Sequence, residues 1–260
     1  MIEHIIISDL HIDVKDFDFS VYNVEENLPR TIIVAGDTLT DTFNGLSIIY
    51  NMLVKLSGYF KNVFYVFGNH DFNGTKILNQ QQQLIYKCNK FHSNIHVLTF
   101  QQSPIIIDDV AYWGDTFWPY MNPAYCEGKE KFIGDYMAIK GEGTPNLTFY
   151  ETNNLAKKAY NSLVKFVDTD YNTSKKVVIT HVPPIYIPSG FTRNWLSDYF
   201  YNELTFKDMT VIKNIDYWFH GHVHQQHYKY VDGMRIMNNA RGYPNEIYPK
   251  FDPYNLIVEI

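Results

Sequence analysis

Two cysteines in 260 residues, Cys88 and Cys126, form no Cys-x-x-Cys pair and no closely spaced set. That excludes a disulfide framework and a thiolate zinc ribbon, and it points to a reducing compartment. Basic blocks are also missing. With 22 Lys and Arg against 28 Asp and Glu, the formal net charge is -6, which argues against a protein dedicated to tracking a nucleic-acid backbone. A bound cation could still supply local positive charge, so nucleic acid stays an open but disfavoured partner. No run of 18 apolar residues occurs, and MIEHIIISD (1–9) has neither a basic start nor an apolar stretch of signal-peptide length. The expectation is a cytoplasmic protein that makes no use of a membrane. Aromatic residues are plentiful by contrast, 21 Tyr and 18 Phe among them, enough to fill a core or to line a groove.

Short apolar runs punctuate the chain at residues 5–7, 31–35, 63–67, 177–180 and 216–219. They are continuous rather than alternating, the pattern of strands buried on both faces in a layered α/β protein. Helix-period patterns lie between several of them, at 46–56, 77–86 and 155–167, the last preceded by Asn153 and Asn154 as candidate caps. From 99 to 150 the pattern dissolves into turns and aromatics, which we read as loops on a single domain spanning 1–260.

The runs end alike. SDLH (8–11), Gly36-Asp37, GNHD (68–71), HVPP (181–184) and HGHVH (220–224) each follow one of them, and loops at the carboxyl ends of sheet strands converge on one rim. Imidazole, carboxylate and amide oxygen are the donors that transition metals take. Singly, each motif reads as a turn or cap residue; a shared ending for all five runs does not.

The ordered set Asp-x-His, Gly-Asp, Gly-Asn-His-Asp, His and Gly-His-x-His, spanning residues 9 to 224, resembles the calcineurin-like metallophosphoesterase superfamily. The resemblance implies an α/β (α+β) fold of two mixed sheets packed face to face with helices outside. It implies two divalent transition-metal ions, drawn from Mn, Fe, Zn or Co with Mn the first choice. Asp9, His11, Asp37 and His224 would hold one ion, and Asp37, Asn69, His181 and His222 the other, with Asp37 bridging. His70 would be the catalytic residue, donating a proton or a hydrogen bond. Many relatives carry a second Asp three residues after the bridging one; here that position is Thr40, followed by Asp41, which leaves the partner that orients His70 open. His220 and His227 match no ligand position and are expected to be ordinary polar neighbours.

No Arg follows Gly36-Asp37 and Asp71 stands where protein phosphatases of the superfamily have Glu, which argues against that branch. Arg241, in NNARGYPNE (238–246), is a candidate phosphate clamp. Trp118, in the aromatic stretch 113–120, is a candidate stacking platform for a flat leaving group. The substrate expected is a small phosphoester, foremost a phosphodiester of nucleotide or cyclic-nucleotide type. A phosphomonoesterase, a nuclease of the double-strand-break-repair type and a non-catalytic scaffold are the alternatives. The sequence is silent on oligomeric state.

Overall fold

Alternate residues of the buried strands serve two different cores. In β1 (Glu3–Ile7), Ile5 and Ile7 face one cluster while Ile6 faces another; β2 (Thr31–Ala35) divides Ile32 and Val34 from Ile33 and Ala35 in the same way. The computed structural model describes residues 2–40, 44–187, 195–202, 213–246 and 250–260. Two sheets account for the division. The first has five strands in the order β11-β1-β2-β3-β4, adding β3 (Asn62–Val66), β4 (Ile95–Val97) and β11 (Ile257–Glu259). Its strands are parallel apart from β11, which runs antiparallel to β1.

The second sheet runs β5-β6-β7-β8-β10-β9. It is built from β5 (Ile105–Ile107), β6 (Val110–Asp115), β7 (Lys175–Thr180), β8 (Tyr217–Phe219), β9 (His227–Val231) and β10 (Met234–Asn238). Strands β6, β7, β8 and β10 are parallel, and the outer strands β5 and β9 are antiparallel. These are the two mixed sheets expected. The sheets face each other across Ile6, Ile33, Phe64, Val66, Tyr112, Val177, Ile179 and Phe219. Each such side chain contributes about 1.5–3 kcal/mol by leaving water, so a strand apolar on both faces is fixed from two sides. A polar pair crosses the same interface: His4 Nδ1 lies 2.8 Å from Ile2 O and Nε2 lies 2.6 Å from the Tyr112 hydroxyl.

Helices cover the outer faces. Short α1 (Val24–Asn27) precedes β2, and α2 (Gly45–Ser57) and α3 (Ile77–Phe91) pack Ile49, Leu53, Leu56, Ile77 and Leu84 against the first sheet. After the short α4 (Pro123–Cys126) and α5 (Asp135–Ala138), α6 (Phe149–Asp168) lays Ala159, Leu163 and Phe166 against Trp113, Val178 and Trp218 of the second. This last helix starts earlier than its apolar period suggests. Thr148 caps it in a reciprocal box with Glu151, while Asn153 instead bonds the backbone N–H and C=O of Met121. Residues 99–150 likewise hold more than loops, since β6 pairs with β7 inside the second sheet. Both cysteines are buried, and neither forms a disulfide among the described residues. Among the described residues no helix is long and apolar enough to cross a membrane.

Candidate metal centre

Strands β1, β2, β3, β7 and β8 all run out into one rim, and the backbone there is strained. Asp9, His11, Asp37 and His222 have φ of 52°, 42°, 52° and 69°, a left-handed conformation that non-glycine residues rarely adopt. It turns each side chain back over the strand ends. Gly36 (φ 85°) is required on two counts, because a Cβ there would also stand 2.5 Å from His181 Nδ1. A Cβ on Gly68 would run into Asp37 Oδ1 and its backbone nitrogen. The glycines of the motifs are there so that two loops can touch.

Seven expected donors come together. His11 Nε2 and His224 Nε2 are 3.2 Å apart, and His224 Nε2 is 3.5 Å from Asp9 Oδ1. Alongside, His181 Nε2 lies 3.0 Å from Asn69 Oδ1 and 3.3 Å from Asp37 Oδ2, and His222 Nδ1 lies 3.0 Å from the same Asn69 oxygen. Potential ligand atoms of Asp9, His11 and His224 fall within 4.8 Å of one another, as do those of Asp9, Asp37 and His181.

The outward-facing nitrogens decide what these atoms present. His181 Nδ1 is 2.8 Å from Ala35 O, His224 Nδ1 is 2.7 Å from Glu246 Oε2, and His222 Nε2 is 3.3 Å from Tyr199 O. Each outer partner is an acceptor, so in the neutral ring each outer nitrogen carries the hydrogen. Every inner nitrogen is then a lone pair aimed at other lone pairs, an arrangement that a cation reconciles. Protons take that part in the protein alone. Burial lowers the pKa of His181 and His224, yet the charge of Asp37 on the first and of Asp9 on the second raises both to about 9. His222, enclosed and next to His181, is pushed down to about 3. The mixed N/O donor set suits Mn, Fe, Zn or Co rather than Ca or Mg.

Around the donors stand residues that hold them. Thr40 Oγ1 is 2.8 Å from His11 Nδ1. Asp71 does not orient His70: its carboxylate accepts from the N–H groups of Asp37, Leu39 and Gly68 and from the Tyr65 hydroxyl. Burial and the neighbouring Asp37 charge push it up to about 7. The His70 backbone N–H donates to Asp37 Oδ1 at 3.0 Å. Its ring is approached by Asn73, whose Nδ2 lies 3.4 Å from His70 Nδ1 and donates to Thr40 O at 2.8 Å. An amide N–H facing Nδ1 leaves the ring hydrogen on Nε2. Asp41 lies outside the described residues.

Two expected contacts are corrected. Arg241 is not a phosphate clamp: Nη1 donates to Leu10 O and Lys15 O, Nη2 donates to Asp16 O, and the guanidinium lies over Phe17. It staples its loop to the segment after His11. Trp118 is buried beside Phe72 in the core against the first sheet and cannot stack on a ligand. From the Arg241 loop it is Tyr243 and Glu246 that reach the site. Tyr243 stacks on His11 with ring centres 4.3 Å apart, and its N–H donates to Glu246 Oε2 at 2.7 Å. A carboxylate three residues on that bonds back to a loop N–H is one half of a capping box, and without a Ser or Thr at its first position YPNE carries no sequence signature that could have found either residue. His220 and His227 lie side by side, with ring centres 5.0 Å apart, and neither belongs to the clusters of potential ligand atoms found among the described residues.

A cavity of about 660 Å³ opens over the centre. Asp37, Asn69, His70, His222 and His224 form its floor, and Phe132, Ile133, Asp135, Tyr186, Leu196, Tyr199, Phe200 and Tyr243 its walls. Phe132 and Phe200 are 63% and 42% exposed.

The sequence profile of the calcineurin-like phosphoesterases matches residues 4–226. The chain belongs to that family. An uncharacterized protein of Acanthamoeba polyphaga mimivirus is 26% identical over 216 residues, covering 78% of this chain and 75% of that protein. Among solved structures, the phosphopantetheinyl hydrolase of Mycobacterium tuberculosis superposes with a TM-score of 0.68 at 18% identity, over 93% of this chain and 89% of that one. Likeness at that identity establishes the calcineurin-like fold. Family membership makes phosphoester hydrolysis with metal ions the setting in which the Asp/His cluster is to be read.

Proposed function

We propose that the protein hydrolyses phosphodiesters carrying a flat organic group, at a dinuclear centre held by Asp9, His11 and His224 on one side and Asn69, His181 and His222 on the other, with Asp37 shared. The observation that carries this reading is the set of inward lone pairs, each fixed by an acceptor on its far side. Two divalent ions, manganese by first preference, would there lower the pKa of water and neutralise charge growing on the phosphoryl oxygens. Asp37 would screen the two positive charges from each other. Thr40, Ala35, Glu246 and Tyr199 keep the imidazoles in register. His70 lines the cavity with its Nε2 hydrogen presented to the departing oxygen, to which the neutral ring would donate a hydrogen bond and the doubly protonated ring would give the proton and be left neutral.

One feature favours a diester over a monoester, and a second favours a flat organic group. Among the described residues lining the cavity none is Lys or Arg, while Asp135 and Glu246 add carboxylates, so a substrate with a single negative charge is the better match. The aromatic walls offer stacking surface, worth roughly 1–3 kcal/mol per base in nucleic-acid complexes. The test is a comparison of the manganese-loaded protein on bis-p-nitrophenyl phosphate, p-nitrophenyl phosphate, cyclic nucleotides and single-stranded DNA, each repeated with chelator. Aromatic and nucleotide diesters should turn over fastest and lose all activity with chelator. A faster monoester, or activity that survives chelation, would contradict the proposal. Replacing Phe200 by Ala should raise KM for the aromatic diester about tenfold with kcat nearly unchanged, as lost stacking predicts.

A further inference from the structure

Asn69 poses a problem that the five motifs do not solve. The oxygen and nitrogen ends of an amide are alike in size and shape, and only hydrogen bonds tell one from the other. A metal needs the oxygen. Asn69 Oδ1 does face His181 Nε2 and His222 Nδ1, both at 3.0 Å, so the Nδ2 end must be claimed by an acceptor. The carboxylate beside Asn69 in the cavity lining is that of Asp135, the first residue of α5, far from any motif. Asp135 is 4% exposed and accepts the hydroxyl of Tyr199, itself 5% exposed. Tyr199 reaches the neighbouring ligand as well. Its carbonyl faces His222 Nε2 at 3.3 Å and its ring stands edge-on to that imidazole, with centres 5.7 Å apart.

We propose that Asp135 and Tyr199 are positioning residues that together clamp Asn69 and His222 in the orientation that binds one metal ion, so that the cavity wall sets the affinity of one site of the pair. An acceptor on Nδ2 turns Oδ1 inward, and a carbonyl on Nε2 turns the Nδ1 lone pair inward. One segment, 195–200, therefore serves both ligands, directly for His222 and through Asp135 for Asn69. The other ion's residues, His11 and His224, rest on Thr40 and Glu246 instead and owe nothing to the clamp. Partners of this kind are worth roughly 10- to 100-fold in metal affinity.

The proposal rests on reading Asn69, His181 and His222 as ligands of one ion, and the experiment separates the two claims. Manganese is titrated into the chelator-stripped full chain by calorimetry and by the electron-spin signal of free Mn²⁺. Wild type should show two sites, and His181→Ala should abolish one of them. Asp135→Ala should weaken that same site about 10- to 100-fold and leave the other as it was. Asp135→Asn, which keeps an acceptor oxygen, should recover most of the loss. If His181→Ala leaves both sites intact, the ligand reading fails. If it removes one while Asp135→Ala changes neither affinity, or weakens both equally, the clamp is overturned. Should Asp135→Ala not fold, Tyr199→Phe decides by the same criterion.

Discussion

The floor and the walls of the cavity are made in opposite ways. Each floor residue follows the end of a strand by five positions or fewer, and two of them, Asp37 and His222, stand on backbone forced into a left-handed turn. The walls come from residues 132–135, 186 and 187, 196, 197, 199 and 200, and 243 and 246, which belong to no common sheet and meet only because the whole chain has folded. The difference teaches where invariant chemistry and selectable chemistry live. A metal centre needs donors placed to a fraction of an ångström, and strand ends supply that rigidity. A wall that selects the organic group can be rebuilt without disturbing them.

Substitutions on the floor should therefore cost far more than substitutions in the walls. The largest loss is expected for Asp37→Asn, which weakens both ions and their mutual screening. Its rate on bis-p-nitrophenyl phosphate under saturating manganese should fall by more than about 10³-fold, several kcal/mol of charge stabilisation being at stake. That loss should exceed those of His11→Ala and His181→Ala measured side by side. An equal or smaller loss at Asp37 would remove it from the bridging position.

Next in size is His70→Asn. With both ions retained, alkyl diesters should slow by roughly 10²- to 10⁴-fold, the range of general acid catalysis, and p-nitrophenyl esters visibly less, since that group leaves with little help. The same factor for both would mean that His70 stabilises phosphoryl charge instead. Smaller again is Glu246→Gln, which keeps the shape of the loop but replaces the carboxylate behind His224. Manganese affinity at the His11 and His224 site should fall about tenfold, read by metal titration.

How far the sequence reaches follows the same division. The strands β1, β2, β3, β7 and β8 are legible because they are apolar on both faces, and the motifs because fixed local spacing carries them. Strand β6 is not legible. VAYWGD mixes Ala and Gly with a tryptophan that goes to the outer core, where Trp113 Nε1 bonds Ser162 Oγ, so its composition imitates the turns around it. Trp118 looks like a ligand platform for the same reason, and only the fold reveals that Phe72 and the core have taken it. Arg241 has the residue type of a phosphate clamp, but three carbonyls of a loop 225 positions and more upstream absorb its donors, and nothing local announces that. Asp135 and Tyr199 carry no local signal at all.

A control for both regions lies away from the rim. His4 bridges the sheets as a neutral ring, and burial lowers its pKa to about 4. The unfolded chain takes that proton near pH 6.5 and the folded chain only near pH 4, so the contribution is whole above pH 6.5 and shrinks as pH falls toward 4. Between pH 7 and pH 5.5 it amounts to about 1 kcal/mol. Urea denaturation of the metal-free protein at the two pH values should show a smaller drop for His4→Gln than for wild type, with the turnover of the metal-loaded enzyme unaffected. An equal drop would place the acid sensitivity in the rim.

The central claim is that seven strand-end residues hold two metal ions around Asp37. Anomalous diffraction at the manganese edge, from crystals of the manganese-loaded protein, tests it most directly. Two peaks are predicted, one among Asp9, His11 and His224 and one among Asn69, His181 and His222, with Asp37 reaching both. A single peak, or a peak at His220 and His227 instead, would contradict the account.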